Sequence, residues 1–77
     1  MNEEVFNLSV RRFLKKVGVT SQREIEGAVR DAIEAGRLRG NEVLPARATV
    51  TVEGLGHVEV TGEIALSERP SIDSSDR

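Results

Sequence analysis

The chain has 77 residues, 38% hydrophobic and 31% charged, with 11 basic and 13 acidic side chains, one His, two Phe and no Cys, Trp or Tyr. So short a chain allows one small core and no second lobe to form an interdomain cleft, and it needs strong local signals or a partner chain to be stable. Without cysteine there are no disulfide staples, thiolate metal sites or thiol nucleophiles, and a single histidine cannot complete a Cys/His zinc module.

The first element is an amphipathic helix. Phe6, Val10, Phe13, Leu14 and Val17 recur at helical spacing, with Arg11, Arg12, Lys15 and Lys16 on the opposite side. Asn2 is the expected N-cap, and Glu3 and Glu4 suit the positive end of the helix dipole. Gly18 reads as a Schellman stop, with Val19 packing back on Leu14. Ser21-Gln22-Arg23-Glu24 then reads as a capping box opening a second helix, whose stripe is Ile25, Ala28, Val29, Ala32 and Ile33. Glu26 and Arg30 form an exposed i,i+4 pair on it. Gly36 and Gly40 are alternative ends, with Arg37 and Arg39 suited to a negative helix terminus. Gly27 points away from the stripe, where it costs about 1 kcal/mol relative to Ala.

Past Pro45 the period changes to two. Ala46, Ala48, Val50 and Val52 alternate with Arg47, Thr49, Thr51 and Glu53; after Gly54-Leu55-Gly56, Val58, Val60, Gly62, Ile64 and Leu66 alternate with polar residues. A register centred on Leu55 pairs Val52 with Val58, Val50 with Val60 and Ala48 with Gly62, and sets Arg47 against Glu63. Residues 67–77 are polar and aperiodic and read as a disordered tail. The expected fold is α+β and two-layer: an αα-hairpin followed by a β-hairpin (helix-helix-strand-strand) in a single domain over residues 1–66.

Few constellations carry chemistry. His57 with Glu53 and Glu59 resembles the start of a metal site, but a hairpin tip offers no second set of groups to orient the ligands, so no metal, cofactor or catalytic residue is assigned. No pair of carboxylates is isolated in an apolar setting, and the expectation is a protein that is not an enzyme. The strongest charge signal is the quartet Arg11, Arg12, Lys15 and Lys16, the candidate basic interaction face. Weak nucleic-acid binding through that face is the alternative function, disfavoured by overall acidity and by the commitment of Phe6 and Phe13 to the core stripe. A winged-helix comparison fails because the would-be recognition helix carries as many acids as arginines.

The segments Ser9-Val-Arg-Arg-Phe-Leu-Lys-Lys-Val-Gly-Val-Thr-Ser-Gln-Arg-Glu-Ile-Glu26 and Gly36-Arg-Leu-Arg-Gly-Asn-Glu-Val-Leu-Pro-Ala46 resemble a small family of uncharacterised bacterial proteins, a domain of unknown function about as long as residues 1–66. The resemblance implies a bacterial cytoplasmic protein and transfers no site. No apolar run approaches the roughly eighteen residues of a membrane span, and the acidic start Met1-Asn2-Glu3-Glu4 is unlike a signal peptide. With two open sheet edges, the expected function is a self-associating or protein-interaction module. Its expected state is a homodimer through the hairpin edge strands, with an acidic protein as a second candidate partner for the basic face.

Overall fold

The computed structural model describes residues 1–68; the tail expected over 67–77 lies outside the described residues from residue 69 onward. Helix α1 runs Glu3–Glu34, strand β1 Val43–Val52 and strand β2 Gly56–Ala65. The chain divides into two compact units, Met1–Arg37 and Leu38–Arg77, each described here by itself.

The first unit overturns the αα-hairpin: α1 is one helix of 32 residues, about 48 Å long at the usual rise. Gly18 lies inside it with no positive φ, and Ser21 and Glu24 are interior helical residues rather than a capping box. The physical reason is cooperativity. A stop at Gly18 and a restart at Ser21 would forfeit the backbone hydrogen bonds of two helix ends and require a second nucleation, whereas running through costs about 1 kcal/mol for one glycine. No proline enforces the stop. With one helix in place of two, there is no αα-hairpin to supply the expected helical layer.

The ends of α1 are well specified. The Asn2 side chain accepts from the Val5 amide at 3.1 Å, with Glu3 and Glu4 in the first turn, as the sequence predicts. At the other end Gly36, at φ +83, is the C′ residue of a Schellman motif: the Arg37 amide donates to the Ala32 carbonyl at 2.8 Å and the Gly36 amide to the Ile33 carbonyl at 3.0 Å. Gly36, and not Gly40, ends the helix; the Schellman stop predicted at Gly18 forms eighteen residues further on.

The second unit contains the expected antiparallel β-hairpin in a register shifted by two residues. Val50 pairs with Val58, Ala48 with Val60, Ala46 with Gly62 and Leu44 with Ile64, while Arg47 faces Thr61 rather than Glu63. A two-residue shift keeps every side chain on its face, so alternation cannot distinguish the two registers. The turn decides. The Leu55 amide donates to the Val52 carbonyl at 2.9 Å, with Gly54 at φ +82 in the position where a type II turn needs a positive φ. The resulting loop is three residues long, Glu53-Gly54-Leu55.

The Leu66 amide also donates to the Glu42 carbonyl at 2.9 Å, which makes the even-numbered positions the hydrogen-bonded pairs of the ladder. Pro45 occupies an odd position, so its missing N–H falls on the open edge of β1 and costs the ladder nothing.

Burial is sparse. Among the described residues Ala32 alone is buried, at 8% exposure. Phe6, Phe13 and Leu14 are each 48% exposed, and Val52, Val58 and Val60 are half exposed or more. The aromatic pair assigned to a core stripe therefore stands on the surface. The stripe itself is present, and Phe6, Val10, Phe13, Leu14 and Ile25 on it are each 40% exposed or more.

Candidate interaction surfaces

Three surfaces carry chemistry. The first is the basic quartet. Arg11, Arg12, Lys15 and Lys16 all lie on α1 and all are exposed. The i,i+4 relations Arg11–Lys15 and Arg12–Lys16 make two adjacent rows, spread over a broad sector with Leu8 and Val19 between them. Because α1 does not stop at Gly18, Lys15 and Lys16 sit mid-helix and gain nothing from a helix terminus; the last turn of α1 holds no basic residue. Among the described residues the one ion pair is Arg30–Glu26 at 3.8 Å, the predicted i,i+4 pair. Glu26 also accepts from the Gln22 amide group at 2.9 Å, so one carboxylate joins three successive turns of the exposed face.

The second surface is the apolar side of α1. Val10, Phe13, Leu14 and Ile25 are between 40% and 48% exposed. In its middle, Phe13, Lys16, Val17, Thr20 and Ser21 line an open hollow of about 380 Å³ with mostly apolar walls. Lys16 thus belongs to the rim of the apolar stripe as well as to the basic quartet.

The third is the hairpin. Leu44, Ala46, Val50 and Ile64 are half-buried on its apolar face, and both outer edges are unpaired in a two-stranded sheet. A shallow hollow of about 470 Å³ borders Pro45, Ala46, Arg47, Thr61 and Gly62. His57 faces Thr51 and Glu59 faces Thr49 on the polar side, with Glu53 in the turn. Among the described residues no group of three His, Cys, Asp or Glu side chains comes together in a way that could hold a metal ion.

Sequence reasoning missed the loop that leads into β1. The Glu42 carboxylate accepts from the Arg39 amide at 2.9 Å and from the Gly40 amide at 3.0 Å, with Gly40 at φ +103. The Arg39 bond most of all holds the Glu42 carboxyl below its ordinary value; desolvation opposes this and the Gly40 amide adds to it. A glycine two residues before a glutamate, directly after a helix end, is the signal that could have found this nest-like turn.

The chain belongs to the family of unknown function DUF6494, whose model matches residues 1–67. That span covers α1, the connecting loop and the whole hairpin of this DUF6494 chain. A search of curated proteins finds no match, and neither does a search of solved structures. No helix among the described residues is long and apolar enough to cross a membrane.

Proposed function

We propose that this DUF6494 chain is a non-enzymatic, self-associating module that works as a homodimer in the cytoplasm. The observation that carries the reading is the exposure of its apolar residues: Phe6, Phe13, Leu14, Ile25, Val58 and Val60 are all 40% exposed or more, and the described chain buries a single alanine. Apolar surface in that amount on so small a chain is stabilised by burial against another chain. Two surfaces are open to a second copy. One is the hairpin edge, where two chains would form a four-stranded sheet; β2 offers the uninterrupted edge, since Pro45 removes a donor from β1. The other is the apolar stripe of α1.

Sedimentation equilibrium between low and high micromolar concentration tests the reading. A dimer is expected, and a stable monomer at high micromolar concentration overturns it.

One observation favours a second reading, weak nucleic-acid binding through Arg11, Arg12, Lys15 and Lys16: Lys16 and the half-exposed Phe13 line the same hollow, so a cation and an aromatic side chain border one open surface. Titration with single-stranded nucleic acid at two salt concentrations tests it. Phosphate binding must weaken steeply with salt and be lost on reversal of the four charges. An acidic protein partner on the same face would bind under those conditions without nucleic acid.

A further inference from the structure

Six positions along the apolar side of α1, flanked by Leu14 and Val29, read the same in both directions. Val10, Phe13, Val17, Ser21, Ile25 and Ala28 follow one another at spacings of 3, 4, 4, 4 and 3 residues, a pattern symmetric about residue 19. The run of three fours is a stutter in a heptad-like pattern, which a continuous helix accommodates by a local change of winding. An isologous two-fold interface between antiparallel helices requires this symmetry, because each residue meets the one at the mirrored position of the other copy.

From this, and resting on the self-association proposed above, we infer that two copies of the chain dimerise through α1, packed antiparallel with the two-fold axis at the level of residue 19 along the helix. Val10 then faces the partner's Ala28, Phe13 the partner's Ile25, and Val17 the partner's Ser21. Larger side chains from the first half of one helix meet smaller ones from the second half of the other, so the helices can approach closely.

Two further observations fit this occupant. The hollow lined by Phe13, Lys16, Val17, Thr20 and Ser21 lies at the centre of the seam, where the two helices would cross. Charge is also complementary. The first half of α1 carries Arg11, Arg12, Lys15 and Lys16 against Glu3 and Glu4, whereas the second carries Glu24, Glu26, Asp31 and Glu34 against Arg23 and Arg30. An antiparallel pair opposes the two helix dipoles and brings Lys16, at the rim of the apolar side, alongside the partner's Glu24 twice by symmetry, while Arg11, Arg12 and Lys15 point away from the seam. A parallel pair would stack like charges. Ala32 is already buried in its own chain, so the seam is carried from Val10 to Ala28, where the side chains are exposed or half-buried.

The absence of cysteine makes disulfide trapping a clean test in the full chain. Val10→Cys and Ala28→Cys are prepared as separate variants, then oxidised alone and as an equimolar mixture. The mixture is expected to give a disulfide-linked dimer and each variant alone none, since like positions lie about 27 Å apart in an antiparallel pair. Phe13→Cys with Ile25→Cys repeats the test at an inner position should the first pair impair folding, and circular dichroism checks that each variant keeps its helix. Cross-linking of Val10→Cys with itself would make the pair parallel and overturn the inference. A chain that sediments as a dimer yet forms no cross-link in either mixture would also overturn it, while leaving self-association by another surface standing. A monomer without cross-links would overturn both.

Discussion

The three glycines of the helical unit differ in backbone conformation, and substitution separates them. Gly36 sits at φ +83 and completes the Schellman motif, so a Cβ there strains the left-handed conformation; Gly36→Ala is expected to destabilise by about 1–2 kcal/mol. Gly18 and Gly27 are helical, and a Cβ at either meets nothing within 4 Å. Gly18→Ala and Gly27→Ala are each expected to stabilise by about 1 kcal/mol, read as a rise in the melting temperature of the helical circular dichroism signal. A fall on Gly18→Ala would restore the helix stop expected there. Glu42 carries a second residue-scale prediction. Its folded pKa is depressed below the ordinary 4.5, so the stability it contributes is present above that value and is lost as pH falls through the folded pKa. In a side-chain carboxyl NMR titration Glu42 is expected to protonate below the ordinary 4.5, with the Arg39 and Gly40 amides shifting at the same midpoint. In Glu42→Gln that shared transition disappears.

At the scale of the elements, legibility depended on whether a signal was local. The Asn2 cap, the apolar face of the hairpin, the Glu26–Arg30 pair and the polar-to-apolar alternation of both strands were readable because each rests on residues a few positions apart. The single helix was not readable, because Gly18 and the Ser21–Glu24 pattern are sound local signals that lose to the cooperative cost of two extra helix ends. The stripes on either side of Gly18 differ in phase by roughly a quarter turn, which one continuous helix accommodates as a stutter. The hairpin register was half readable: faces follow from alternation, but the two-residue shift is set by the turn at Gly54. The edge of β2 gives a test at this scale. Thr61 lies at an odd position, so its N–H points to the open edge, and Thr61→Pro removes an edge donor while sparing the β1–β2 ladder. With the interface on α1, Thr61→Pro is expected to remain a dimer by sedimentation; a monomer with an intact hairpin would place the interface at the sheet edge.

For the whole molecule, a formal charge of −2 conceals a segregation that the candidate site could show only once the helix was known to be continuous. Split into two helices, Arg11 to Lys16 is an isolated basic face; joined, it is the positive half of one rod whose negative half carries Glu24, Glu26, Asp31 and Glu34. The same quartet then has two uses that ionic strength distinguishes. If it binds phosphates, each neutralised phosphate releases a counterion, and affinity falls by several orders of magnitude as salt rises from about 0.05 to 0.5 M. If instead Lys16 flanks an antiparallel seam while the rest of the quartet stays solvated, salt screens only surface pairs worth about 0.2–1 kcal/mol each, while the contacts that Val10, Phe13, Val17 and Ile25 would make in the dimer persist. The dimer dissociation constant is therefore expected to change by no more than about tenfold over that range, measured by sedimentation equilibrium. Lys16→Glu should weaken the dimer at low salt, and Lys16→Glu with Glu24→Lys should restore it. A dissociation constant that climbs with salt as steeply as phosphate binding, or a double reversal that fails to restore the dimer, would remove the charge argument for the antiparallel pair.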